Sequence, residues 1–163
     1  MKPGIKVEIP GHGDFEFRTL VSDYTGTQSR GGSVSPGVRS RLIRLSEWLD
    51  IHILTADTFG TAESELAELP VLIHRMPGFG QDVRKSEFAM GLQLRNVAAF
   101  GNGNNDRLLL KTVREGGGLA VAVDNGEGCA IETLQNASLF IAGAENALDL
   151  LLETRRLTAT LRF

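Results

Sequence analysis

Residues 19–55 read TLVSDYTGTQSRGGSVSPGVRSRLIRLSEWLDIHILT. Residues 19–22 continue an extended segment that ends on Asp23, and the glycine-rich stretch 25–33 is too polar to be core. Ser35-Pro36 is a helix start, with serine as N-cap and proline at the first helical position. Val38, Leu42, Leu45 and Leu49 then recur at helical spacing, which predicts an amphipathic helix to about residue 49. Residues 51–54 form a short apolar run with the character of a buried strand. Strand, helix, strand in that order is the unit from which parallel sheets are built.

Working outward, the same alternation continues. Upstream, Ile5, Val7 and Ile9 share one face, residues 10–14 are a turn cluster, and Phe15 and Phe17 resume the alternation. That predicts a hairpin within residues 1–18, at the sheet edge or lying across it. Downstream, helices are expected near 61–69, 82–92, 105–114, 128–135 and 145–153. Strands are expected at 71–73, 97–100, 119–123 and 139–142. Continuous apolar strands between helices predict a sheet covered on both faces. The expected fold class is therefore three-layer α/β/α, Rossmann-like, with a mostly parallel sheet and an N-terminal β-hairpin. No linker or repeat divides residues 1–163, so one domain is expected.

Composition narrows the function. Of 163 residues, 42% are hydrophobic and 23% charged, with a net charge of −3. That balance suits a packed globular chain and gives no electrostatic footprint for nucleic acid or anionic lipid. No apolar run is long enough for a membrane span. The first ten residues carry Lys2, Lys6 and Glu8 and do not read as a secretion signal. The single cysteine, Cys129, suits a reducing cytoplasm.

Ligands of such sheets bind outside the carboxyl ends of the strands, so the residues after each apolar run matter most. These are Asp23-Tyr24-Thr25-Gly26-Thr27, Thr55-Ala56-Asp57 and Gly101-Asn102-Gly103-Asn104-Asn105-Asp106, with Lys85 on the helix before the strand at 97–100. Gathered in one crevice, they suit phosphoryl transfer, which needs an in-line nucleophile, donors around the equatorial oxygens and cations against the charge. Asp23 can serve as nucleophile. Main-chain N–H groups of residues 25–27, the Thr55 hydroxyl and Lys85 can hold the oxygens. Asp23, Asn102 and Asp106 supply oxygen ligands of the kind Mg²⁺ prefers. Gly26, Gly101 and Gly103 let the backbone approach a ligand closely.

These residues resemble the four motifs of the haloacid dehalogenase (HAD) superfamily of phosphotransferases. The first motif is similar to the Asp-Lys-Thr-Gly-Thr of P-type ATPases, and Thr55-Ala56-Asp57 to the Thr-Gly-Asp of the second. Lys85 matches the third motif, and residues 101–106 resemble the Gly-Asp-Gly-x-Asn-Asp of the fourth. The spacing suits a core without a large inserted cap, as in small soluble P-type ATPase-like HAD proteins, and the resemblance covers roughly residues 19–142. It implies Asp23, Thr25, Thr55 and Lys85 as catalytic residues. Thr25, Gly26, Thr27, Thr55, Ala56, Lys85 and Asn105 would bind phosphate, and Asp23, Thr25, Asn102 and Asp106 would bind Mg²⁺. Two positions depart from the pattern. Thr25 stands where phosphatases of the superfamily carry a second aspartate, the general acid and base, so dephosphorylation is expected to be slow. Asn102 stands where a metal-binding aspartate is usual, so Mg²⁺ is expected to bind more weakly, with Asp106 as the main partner of Asp23.

The sequence thus supports a Mg²⁺-dependent phosphohydrolase acting on a small phosphorylated compound through an aspartyl phosphate. The alternative is an attenuated domain that binds phosphate or a phosphometabolite as a regulatory or interaction module. A receiver domain fits poorly, because only Glu8, Asp14 and Glu16 precede Asp23 and they lie in the hairpin. An open, uncapped crevice implies closure by a second copy, with residues 2–17 and 157–163 as contact surfaces. His12, His52 and His74 lack ligand spacing and read as turn, strand-end and loop residues; Cys129 reads as a small buried residue in a helix. Asp124 closes a strand and is placed where it could line the crevice, with no role assigned to it. Arg30 and Arg75, in the loops 29–33 and 75–81, are open to either substrate or surface salt bridges.

Overall fold

The computed structural model describes residues 1–57 and 60–163. In chain order the strands are β1 (Ile5–Val7), β2 (Phe15–Phe17), β3 (Thr19–Asp23), β4 (Asp50–Thr55), β5 (Leu72–Arg75), β6 (Val97–Gly101), β7 (Leu119–Asp124) and β8 (Leu139–Ala142). The helices are α1 (Pro36–Ser46), α2 (Thr61–Leu66), α3 (Gln81–Met90), α4 (Arg107–Glu115), α5 (Ile131–Gln135), α6 (Ala144–Leu152) and α7 (Arg155–Leu161). Six strands form one sheet in the order β5-β4-β3-β6-β7-β8, and every pairing in it is parallel.

Alternation along the strands builds two cores. Leu20, Ile51, Ile53, Ala98, Phe100, Leu119, Val121 and Val123 face one side, against α1, α2, α6 and α7. Val21, Leu54, Ala99, Ala120 and Ala122 face the other, against α3 and α4. The first crossovers run on one face in one direction and the later ones on the other face in the opposite direction, which keeps both right-handed. The direction reverses beside β3. A crevice therefore opens at the carboxyl ends of β3 and β6.

The start of α1 follows the sequence reading, with Ser35 accepting a hydrogen bond from the Val38 N–H at 3.1 Å and proline at the first position. The helix stops at Ser46 rather than near 49, because the Glu47 and Trp48 amides turn back onto Arg44 and Leu45. Leu49 is buried outside the helix and Trp48 is exposed.

The structure corrects two expectations, on the hairpin and the polar stretch, and adds a helix to a third region, the tail. The hairpin neither extends nor crosses the sheet. It is a separate two-stranded antiparallel sheet, held at the amino ends of the strands by Gly4 N–H to Trp48 C=O and Arg18 N–H to Asn96 C=O. Val7, Ile9, Phe15 and Phe17 bury their side chains in the first core from there. The tail 157–163 is largely a helix folded onto its own chain. Leu157 is fully buried and the Phe163 amide donates to the Pro10 carbonyl. The polar stretch 25–33 is not all surface, since Thr27, Gln28 and Ser29 are buried. Gln28 donates to Ser22 Oγ at 2.9 Å and Ser29 donates to the Tyr24 carbonyl at 3.2 Å, while the buried Gln28 Oε1 has no hydrogen-bond partner among the described residues. Among the described residues no helix is long and apolar enough to cross a membrane.

If α7 belongs to the core, Leu157→Ala will cost about 2–5 kcal/mol, the usual range for a fully buried leucine. Urea unfolding of the full chain measures this, and a change within about 0.5 kcal/mol, typical of a surface site, would contradict it.

Candidate active site

Asp23 is the last residue of the central strand, where the chain leaves the sheet, and it is only 5% exposed. The turn that follows is closed by the Tyr24 carbonyl, which accepts from the amides of Thr27, Gln28 and Ser29. Gly26 sits in this turn at φ +76°, and a Cβ there would lie 2.4 Å from the Asn102 amide nitrogen. Only glycine combines that conformation with so close an approach of the β3 and β6 loops.

Lys85, on α3, reaches under the crevice and is fully buried. Its ammonium donates to Asp23 Oδ1 at 2.7 Å and to Asp106 Oδ1 at 2.8 Å. Asp106 is itself fully buried, and its Oδ2 accepts from the Asn102 and Gly103 amides, both at 3.0 Å. The carboxylate thus ties the β6 loop to α3. Thr27 Oγ1 lies 3.0 Å from Asp23 Oδ2 and 3.1 Å from Asn102 Oδ1. Thr55, buried at the end of β4, accepts from the Asp57 amide at 3.0 Å.

One cation serves two carboxylates here. Burial, followed by the charge of Asp106, pushes the Asp23 carboxyl up to about 6, while Lys85 and Thr27 pull the other way. Burial alone would lower the Lys85 ammonium, but Asp23 and Asp106 together outweigh it and hold it above the ordinary lysine range. An ammonium shared by two anions is over-stabilised, whereas Asp23, buried beside a second carboxylate, is not fully compensated by it.

The donor set fits a hard divalent cation. Thr27 has one hydroxyl proton for two acceptors, so Asp23 Oδ2 and Asn102 Oδ1 converge on it and only one of them can receive it. Asp23, Asp106 and Lys85 also leave a net charge of −1 in a buried place, which a divalent ion would reverse. Among the described residues no cluster of three His, Cys, Asp or Glu side chains is gathered to hold a metal, so such a site would use mixed carboxylate, amide and water oxygens.

The structure brings Asp23, Gly26, Thr27, Lys85, Asn102 and Asp106 together, with Thr55 and Ala56 at the end of the adjoining strand. Thr25 is in the same turn and exposed. Asn105 turns away, donating to the Gln81 side chain at 3.0 Å. Asp124 closes β7 and holds the Gly126 and Gly128 amides, each at 2.9 Å. Arg75 donates to the Asp57 carbonyl at 3.2–3.3 Å. His52 and His74 lie within β4 and β5 and hydrogen-bond each other at 2.9 Å, packed against Phe88. Cys129 is partly buried and precedes α5 rather than lying in it. The buried Gln28–Ser22 bridge and the Gln81–Asn105 pair were not anticipated. The second had a signal, because Gln81 lies four residues before Lys85 on the same helix face.

No model of a known protein family matches the chain. The uncharacterized protein MJ0073 of Methanocaldococcus jannaschii is 40% identical over 68 residues, which is 42% of this chain and 69% of that protein. The chain belongs to the same family as that archaeal protein. Among solved structures, the cobalt-bound deoxy-D-mannose-octulosonate 8-phosphate phosphatase of Haemophilus influenzae superposes with a TM-score of 0.65 at 11% identity, over 90% of this chain and 94% of that one. The 3-deoxy-D-manno-octulosonate 8-phosphate phosphatase of Moraxella catarrhalis, in complex with magnesium, phosphate and KDO, gives 0.63 at 16% over the same shares. A Legionella pneumophila chain assigned to HAD subfamily III A gives 0.65 at 18%, over 88% of each chain. The chain has the HAD fold. Asp23 ends the central strand of that fold.

The raised carboxyl predicts a pH-dependent penalty. Ionised Asp23 is disfavoured in the folded state, so the penalty is absent below its ordinary value of 3.8 and complete above about 6. Metal-free Asp23→Asn will therefore melt higher than wild type at pH 7.5, with the gap closing toward pH 4.5. A variant that melts lower at pH 7.5 would contradict the assignment.

Proposed function

We propose that the protein is a Mg²⁺-dependent phosphohydrolase that acts on small phosphate monoesters through an aspartyl phosphate on Asp23. The observation that carries this reading is the buried Lys85 ammonium, held between Asp23 and Asp106 at 2.7 and 2.8 Å at the carboxyl end of the central strand. The phosphatases among the structural neighbours, one of them holding magnesium and phosphate, support the same chemistry.

Mg²⁺, held by oxygens of Asp23, Thr25 and Asn102, would neutralise charge on the phosphoryl group. Asp106 is proposed to act with it mainly from behind, since its oxygens already orient Lys85 and the amides of the β6 loop. Asp23 attacks phosphorus, the ester oxygen leaves and takes a proton from solvent, and the aspartyl phosphate forms. Lys85, the Thr55 hydroxyl and the main-chain amides of residues 25, 26 and 56 hold the equatorial oxygens, while the Thr27 amide stays in the turn on the Tyr24 carbonyl. Water then attacks phosphorus, releasing phosphate and restoring Asp23. Asn105 contributes by fixing Gln81 at the start of the lysine-bearing helix.

Thr25 makes the second step the slow one. Its side chain is exposed and carries no group that can take a proton from water near neutral pH. That feature matches the P-type ATPase-like first motif, and it is also the observation that favours the second reading, a phosphate-binding module with little turnover. The proposal includes a reducing cytoplasmic setting and an oligomer in which a second copy covers the uncapped crevice.

Phosphate release from an aryl phosphate tests the proposal. Activity should require Mg²⁺ and vanish in Asp23→Asn, while Thr25→Asp should raise turnover by about 10²-fold, the lower end of a general acid–base contribution. Activity surviving in Asp23→Asn would overturn the mechanism. Binding of Mg²⁺ and phosphate without release in either wild type or Thr25→Asp would favour the module.

A further inference from the structure

At the carboxyl end of the sheet, where the crevice also opens, the loop after β5 carries an aromatic ring with no ring partner among the described residues. Phe79 is 98% exposed. It stands between Gly78 and Gly80, at φ +86° and +75°, and a Cβ at either glycine would meet nothing within 4 Å. The loop is nevertheless tethered at both ends: the Gln81 side chain donates to the Gly78 carbonyl at 3.1 Å and Arg84 donates to the Pro77 carbonyl. A lone exposed apolar side chain is common on a folded surface; what marks Phe79 is the polar-walled groove that it lines.

The ring overhangs a groove of about 350 Å³ lined also by Gln81, Asn104, Asn105 and Arg107, a size suited to part of a small molecule. Two of its lining residues adjoin the proposed catalytic ones. Asn105 precedes Asp106 in the chain, and Gln81 shares a helix face with Lys85. Arg107 is paired with Asp82 at 2.9 Å, so the groove presents amides and a neutralised ion pair rather than a free charge.

We infer that this groove binds the alcohol portion of the substrate and that Phe79 selects phosphate monoesters of alcohols bearing a planar ring, which stacks on the phenyl face while the amides of Gln81, Asn104 and Asn105 meet its polar edge. The inference rests on the proposed phosphate site. It supplies what an uncapped crevice otherwise lacks, a surface that distinguishes one phosphate ester from another. Stacking of a flat ring on an exposed aromatic side chain commonly contributes about tenfold or more in affinity.

Non-hydrolysable phosphonates separate the two claims. Calorimetric titration of the full chain with Mg²⁺ should show benzylphosphonate binding about tenfold tighter than methylphosphonate. Phe79→Ala, a change in a solvent-exposed side chain, should weaken benzylphosphonate alone and bring the ratio toward one, and Phe79→Trp should keep it. Equal affinities in wild type, or a ratio unchanged in Phe79→Ala, would overturn the role of Phe79 while leaving the phosphate site intact. Failure of both phosphonates to bind would overturn the phosphate site and the inference with it.

Discussion

A single ammonium shared by two buried carboxylates organises the molecule around its crevice. Lys85 comes from the helix after β5, Asp23 from the end of β3, and Asp106 from the turn after β6. Three segments far apart in the chain therefore meet at one charge. Removing Lys85 would leave two buried carboxylates without their cation, which is among the costlier changes a fold can suffer. Asp106 extends the arrangement by fixing two amides of the β6 loop, which in turn presents Asn102 to Thr27.

The parallel sheet makes that meeting possible. Because every strand of the large sheet points the same way, all the chemistry-bearing loops leave from one end, and the hairpin and α7 close the opposite end. The separation is physical: apolar contacts among Val7, Phe15, Phe17 and Leu157 stabilise the amino end, so the carboxyl end is left free to be polar, glycine-rich and open. The residual negative charge around Lys85 and the surplus of acceptor oxygens at Thr27 then suit a divalent cation.

Much of this was legible in the sequence because the relevant signals were local. The Ser35-Pro36 helix start, the apolar runs of β3, β4, β6 and β7, and polar residues at strand ends each follow from short-range chemistry. The interactions of Lys85 depend on topology instead, so the residue could be picked out but its division between Asp23 and Asp106 could not. The same holds for Gln28 and Ser29, whose polar side chains look like surface until the Tyr24 turn folds them inward onto Ser22. The C-terminal helix escaped because 155–161 has only Leu157 fully buried and its neighbours are arginines and threonines. The placement of the hairpin depended on Gly4–Trp48 and Arg18–Asn96 contacts that no pattern within residues 1–18 contains.

The claim on which the account turns is that Asp23 carries the phosphoryl group. Incubation with acetyl phosphate and Mg²⁺, an acid quench, reduction with borohydride and peptide mass mapping would read this directly, since borohydride converts an aspartyl phosphate to homoserine. The account predicts homoserine at position 23 and at no other aspartate. A phosphoryl adduct on a different residue, or phosphate release with position 23 unlabelled under these trapping conditions, would contradict it.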